Sequence, residues 1–289
     1  MNSGFTIPLS LSFCSFFFFV FVQNFSTEAA PTYLNHSCPH VFLFTPNSTY
    51  ESNLNTLLSS LSSAATISTN GFANATAGQN PPDRAYGLFL CRGDVDTSTC
   101  SNCVATGKQD ILRICRNQGA SVIWYDECML RYANKSFFSA MEQVPNLLMQ
   151  NVANITDPTR FKQLLGRTVD DVATRASNGG SGKKFAVKEA NFTNLQKLYT
   201  LAQCTPDLTA SDCNRCLRTM ISTLPQERQG GRRYTMSCSV RFEVYPFYSA
   251  SAMVAPAPAP APPPSQPPPL PPPLTRGLSR GYWLGDVAR

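Results

Sequence analysis

The chain has 289 residues, 11 of them cysteine, and a net charge of +6. That length suits two domains of about 110 residues each, and so much cysteine excludes a reducing compartment. No interleaving of basic and aromatic residues marks a nucleic-acid groove, so anionic cell-surface or wall polymers suit the positive charge better.

Phe13 to Val22 (FCSFFFFVFV) is apolar but too short for a comfortable membrane span. Polar residues and a small-residue site at Ala29 and Ala30 follow, so residues 1–29 read as a cleaved secretory signal that takes Cys14 with it and leaves ten cysteines. Asn35, Asn47, Asn74, Asn134, Asn154 and Asn191 each begin an Asn-x-Ser/Thr triplet, and Asn24 does so inside or beside the signal. With an oxidising compartment these predict N-glycosylation.

A first unit covers 33–140. Leu54, Leu57, Leu58, Leu61 and Ala65 form one apolar stripe on a helix from Tyr50 to Ala65. A strand pattern with Phe72 follows, then AYGLFLC ending at Cys91, then a cysteine-bearing helix with Val104, Ile111 and Leu112. SVIWYDE and CMLRYAN finish the unit as half-buried antiparallel strands.

A second unit covers 151–249 and repeats this order. Its helix carries Phe161, Leu164, Leu165, Val169 and Val172, started by Asp157-Pro158 and stopped by Asn178-Gly179-Gly180. A strand with Phe185, LYTLAQC, a helix with Leu217, Met220, Ile221 and Leu224, then GRRYTMS and CSVRFEVYPFY complete it. The fold class is α+β: two tandem disulfide-stapled modules, each an antiparallel sheet packed against two helices. Glu28 to Pro145 holds 7 basic and 9 acidic residues, while Asp157 to Ser249 holds 14 and 8, so the second module is the cationic one.

The cysteines make the repeat explicit. An offset of 113 aligns Cys91, Cys100 and Cys103 with Cys204, Cys213 and Cys216, and an offset of 110 aligns Cys128 with Cys238. Cys115 falls opposite Arg228, and no cysteine between Cys128 and Cys204 matches Cys38. Half-cystines disappear in pairs if no free thiol is to remain, so Cys38 bridges Cys115. The four shared cysteines then have three possible pairings. Cys100 and Cys103, one turn apart on a helix that starts after Asp96, Thr97, Ser98 and Thr99, favour bonds to two different elements.

The spacing C-x8-C-x2-C, WYDECMLRY and GGRRYTMSCSVRFEVYPFY resemble the ginkbilobin-type, or stress-antifungal, domain of land plants. Two such domains behind a signal resemble the cysteine-rich repeat secretory proteins. The resemblance implies bridges Cys91 to Cys100, Cys103 to Cys128 and Cys38 to Cys115, then Cys204 to Cys213 and Cys216 to Cys238. LPQERQGG departs from the family pattern, standing where a longer, cysteine-bearing turn is usual.

The family's antifungal member resembles a mannose-binding lectin that uses an Asn beside the first cysteine and an Arg and a Glu on the last strands. In the first copy these positions are Pro39, Val122 and Ala133, which cannot serve. In the second they include Arg232 and Glu243, with no counterpart for the Asn. Arg232 and Glu243 are therefore the candidate sugar-binding residues, a donor and an acceptor for hydroxyls.

Metal is not expected, because a zinc ribbon uses two Cys-x2-Cys pairs in one unit and each copy has one. Neither is catalysis. His36 and His40 flank Cys38 without an acid/base setting, and there is no GxSxG elbow or phosphate loop.

Pro256 to Pro273 predicts a solvated polyproline segment within a disordered 250–289 tail, with no cofactor and no membrane span in the mature chain. The sequence reading is a secreted, defence- or stress-related apoplastic protein that binds a mannose-containing glycan or wall polymer through its second module. Its alternative is a protein-recognition module that binds a receptor-like kinase or other extracellular protein, resembling the ectodomain of a cysteine-rich receptor-like kinase or a truncated product of such a gene.

Overall fold

The computed structural model describes residues 29–179 and 182–249. The predicted signal before Ala29, Cys14, Asn24, Gly180 and the proline-rich tail lie outside them.

The first module runs β1 (Tyr33–Ser37), α1 (Thr49–Ala65), β2 (Phe72–Ala77), β3 (Ala85–Cys91), α2 (Thr97–Ile114), β4 (Ser121–Tyr125) and β5 (Cys128–Ala133). The second runs β6 (Leu147–Gln150), α3 (Pro158–Ser177), β7 (Lys184–Asn191), β8 (Lys197–Cys204), α4 (Ala210–Ile221), β9 (Gly230–Tyr234) and β10 (Cys238–Glu243). Their sheets have the same order, β1-β4-β5-β3-β2 and β6-β9-β10-β8-β7, with every pairing antiparallel. Each module thus opens with a short edge strand where the sequence reading begins with a helix. YLNHS and LLMQ are too short to display a period-two pattern.

Helix starts follow from their caps. The side chains of Ser48, Asp96, Asp157 and Thr209 accept from the backbone N–H of Glu51, Thr99, Arg160 and Asp212. Pro158 occupies the first turn of α3, where its missing N–H costs nothing.

The apolar stripe of α1 is wholly buried against β3, each leucine contributing about 1.5–3 kcal/mol of burial. Gly87 of β3 allows that approach: a Cβ there would sit 3.0 Å from the methyl groups of Leu57 and Leu61. In the second module Phe161, Leu165, Val169 and Val172 of α3 make the matching core with Phe242 of β10.

The cysteine spacing is a consequence of this layering. Cys91 and Cys128 are direct cross-strand neighbours in β3 and β5, and α2 lies over them with Cys100 and Cys103 one turn apart. Cys100 therefore reaches Cys91 and Cys103 reaches Cys128. The same arrangement joins Cys213 to Cys204 and Cys216 to Cys238, where Cys204 and Cys238 are again opposite. Cys38 and Cys115 tie the segment after β1 to the end of α2.

One face of each sheet carries the helices. On the other face the first module presents Leu88, Val122, Trp124 and Met129, and Tyr234 and Met236 of the second module pack against that cluster. The modules therefore meet through the sheet faces that their helices leave uncovered.

Candidate functional site

Strand alternation puts Ser239, Arg241 and Glu243 of β10 on the face turned toward the first module, because Val240 and Phe242 between them enter the helix-side core. Arg232 of β9 is paired directly with Arg241 and shares that face. Asp126, in the turn between β4 and β5, points into the same space.

Asp126 gathers three arginines. Its Oδ1 accepts from Arg232 Nη1 and from Arg241 Nη1, both at 2.8 Å, and its Oδ2 accepts from Arg92 Nη1 at 2.9 Å. Arg92 Nε also donates to Asp94 at 2.6 Å, and Arg241 Nε to Glu243 Oε1 at 3.0 Å. Burial alone would lower the pKa of Arg241, but Asp126, Tyr234 and Glu243 together hold it above the ordinary value. Burial, reinforced by Asp126, pushes the Tyr234 phenol up. Every guanidinium here has a carboxylate, the condition under which buried charges are tolerated.

Around this centre the contact is polar and specific. Trp124 Nε1 donates to Thr235 O at 3.3 Å, Gln203 Nε2 to Cys91 O at 2.9 Å, and Glu142 N to Ser237 Oγ at 2.8 Å. Ser139 N donates to Asp207 Oδ2 at 2.7 Å. A cavity of about 40 Å³ remains between the sheets, lined by Trp124, Asp126, Leu201, Tyr234 and Arg241. Roughly 10–15 Å³ of such space holds one water, so the cavity takes a few waters.

The two candidate sugar residues are thus brought onto one face but engaged with protein groups. Arg232 is bonded to the first module, and Glu243 is buried on Arg241 and over Gly230, where any side chain would overlap it. Phe185, on the same face, packs with Val187, Leu201 and Tyr248. In the first module, by contrast, Pro39, Val122 and Ala133 line one cleft.

Residues 37–135 and again 149–245 match the salt stress response/antifungal family. The chain belongs to that family. Cysteine-rich receptor-like protein kinase 25 of Arabidopsis thaliana is 44% identical over 258 residues, which are 86% of this chain and 38% of that protein. Kinase 8 of the same series is 42% identical over 254 residues, 86% of this chain and 37% of that protein. The chain spans between a third and two fifths of the length of these first receptor kinases.

Among solved structures, the tandem DUF26 ectodomain of the Arabidopsis cysteine-rich receptor-like protein PDLP5 is 30% identical, with a TM-score of 0.58 over 74% of this chain and 99% of that one. That of PDLP8 has a TM-score of 0.66 at 23% identity over 74% and 98%, a likeness of fold. The two salt stress response/antifungal modules therefore share the tandem arrangement of those solved ectodomains.

The residues that join the two modules of this family member, Asp126, Arg241 and Trp124, are not singled out by sequence reasoning. The one signal pointing to them is the charge split, an acidic first half beside a cationic second. Of the sequons, Asn47, Asn74, Asn154 and Asn191 are exposed, while Asn35 and Asn134 are half-buried. Among the described residues no group of three or more His, Cys, Asp or Glu could hold a metal ion, and no helix is long and apolar enough to cross a membrane.

Proposed function

We propose that the chain is an extracellular recognition module that binds a protein partner as a joined two-module unit, in the manner of the ectodomain of a cysteine-rich receptor-like kinase. The observation that carries this reading is the edge of the second sheet. Along and beside β6, Val144, Leu148 and Val152 are 75%, 46% and 92% exposed, on an edge strand whose outer backbone groups are unpaired in the sheet. Apolar side chains on an open edge suit strand-wise addition of another chain.

The glycan reading has less support from the geometry. A sugar at Arg232 and Glu243 would have to displace Asp126 and Arg241, each making short charged hydrogen bonds. Secretion, and glycans at the exposed sequons, fit the same extracellular role.

Surface plasmon resonance of the secreted chain over immobilised receptor-kinase ectodomains, with mannan as the competing surface, tests this. The protein reading requires saturable binding to an ectodomain that Leu148→Asp weakens at least about tenfold, roughly 1.4 kcal/mol. Retention on mannan that Arg232→Ala abolishes would replace it with the sugar reading.

A further inference from the structure

The hairpin that joins β7 to β8 begins with the sequon Asn191-Phe192-Thr193. Its turn closes on itself: Phe192 N and Thr193 N both donate to Gln196 O, and the Thr193 hydroxyl oxygen accepts from Leu195 N and Gln196 N. Phe192 is fully buried against Phe161 on the helix side. Asn191 has the parity of Val187, which packs with Leu201 and Tyr248 on the other face. In the ladder Asn191 pairs with Lys197 and Glu189 with Tyr199. Tyr199 is therefore a diagonal neighbour of Asn191, about 7–8 Å away and within reach of a long side group.

Between this hairpin and the chain after β10 lies a cleft of about 760 Å³, lined by Asn191 itself with Asn194, Gln196, Lys197, Tyr199 and Tyr245. Small-molecule sites occupy about 300–1,000 Å³. Among the described residues, the side-chain amides of Asn191, Asn194 and Gln196 make no hydrogen bond, and Tyr245 is 45% exposed. Lys197 is already taken up by Glu189, its Nζ at 3.0 Å from Oε2. Free amides for hydroxyl and acetamido groups, beside rings for the apolar face of a pyranose, complement a sugar.

The sequon says which sugar. A glycan on Asn191 is fastened to the wall of the cleft, and a group held by a short tether is present at an effective concentration on the order of 1 mM. A contact with a dissociation constant of about 0.1 mM, too weak to gather a dilute free sugar, then favours the docked state roughly tenfold.

We propose that Asn191 carries an N-linked glycan whose first sugars lie in this cleft, against Tyr199 and Tyr245. The cleft is thereby closed to outside ligands, and the glycan covers the hairpin tip, where Leu195 is fully exposed. The proposal rests on the extracellular reading and is independent of the β6 edge.

The test secretes the whole chain from plant cells held at the high-mannose stage of glycan processing. Peptide mass spectrometry reads which sequons are occupied, and endoglycosidase H, which cuts between the first two sugars, reads which glycans are docked. In the folded chain Asn191 should be occupied and cut about tenfold more slowly than an exposed sequon such as Asn47, Asn74 or Asn154. Tyr245→Ala should raise the rate to that of the exposed sequon with the thermal midpoint retained. Nuclear Overhauser contacts on the unaltered chain should join the first sugar to the Tyr199 or Tyr245 ring, which decides the matter even if the variant does not fold. A bare Asn191 beside occupied sequons, equal cutting rates, an unchanged rate in a folded Tyr245→Ala chain, or no such contact would overturn the proposal alone. No glycan at any sequon would remove the extracellular reading and the proposal with it.

Discussion

Phe185 of the second module lies over Gly93 of the first so closely that a methyl group at position 93 would overlap the ring. The backbone at that point is gripped from both sides: Gly93 N donates to Gln203 Oε1 at 3.3 Å, and Lys183 Nζ donates to Gly93 O at 3.0 Å. A side chain at 93 therefore acts on the junction while leaving either core untouched. Gly93→Val should cost about 1–3 kcal/mol, the range for overpacking a closed contact. Thermal unfolding should show a lower midpoint, and small-angle scattering a larger radius of gyration. An unchanged radius would show that the junction does not depend on this contact.

Loss of the Cys38–Cys115 bond should weaken one module and spare the other. It closes a loop of sequence separation 77, for which chain entropy alone gives about 4.5 kcal/mol, an upper figure for a real protein. The second module reaches the same strand order without this bond. In Cys38→Ser with Cys115→Ser, hydrogen exchange should speed up across α1 and β1 to β5 while α3 and β7 to β10 keep their protection. Equal loss in both modules would mean that they unfold as one unit.

Alkaline conditions should also weaken the first module. Tyr132 donates to Gln118 O at 3.0 Å and Tyr50 to Gly119 O at 2.6 Å, holding the turn that leads into β4. Burial pushes the Tyr132 phenol up to about 12 and raises that of Tyr50 further. An unfolded tyrosine ionises near pH 10, so the unfolded chain gains favourable ionisation that the folded one cannot follow. Stability from these groups is complete below pH 10 and falls as pH rises toward 12. Phe242 occupies the place of Tyr132 in the second module and has nothing to ionise. Circular dichroism against pH should therefore show loss beginning above about pH 10, made shallower by Tyr132→Phe. An identical profile in that variant would contradict the assignment.

What the sequence makes legible follows from pattern length and from covalent arithmetic. The stripe from Leu54 to Ala65 spans enough turns to declare a helix, and the buried face of α1 is that set with Tyr50 added. The repeated C-x8-C-x2-C spacing makes the tandem architecture legible, and in each module the two helical cysteines reach two different strands. Short edge strands such as YLNHS offer too few residues for either argument.

The junction is harder for a different reason. Asp126 and Arg241 are 115 positions apart and look like ordinary strand-end polar residues until the two sheets face each other. The charge split is the trace they leave: 14 basic residues against 8 acidic ones in the second half, 7 against 9 in the first. Part of that imbalance is spent between the modules, on Asp126, and not on an outside polymer. Residue-by-residue transfer of a sugar site names Arg232 on β9 and Glu243 on β10, and it is silent on what opposes them. Arg232 has a partner supplied by the other module, which no single-module motif describes.

The central claim, that Arg232 serves the junction between the modules, is tested most directly by a double-mutant cycle of Asp126→Ala and Arg232→Ala in urea unfolding, with mannan retention measured on the same four proteins. The two side chains are each 19% exposed, and a close charged pair across such an interface predicts a coupling energy of about 1–3 kcal/mol with mannan retention indifferent to either change. Costs that simply add, to within about 0.5 kcal/mol, together with mannan retention lost on Arg232→Ala alone, would contradict it.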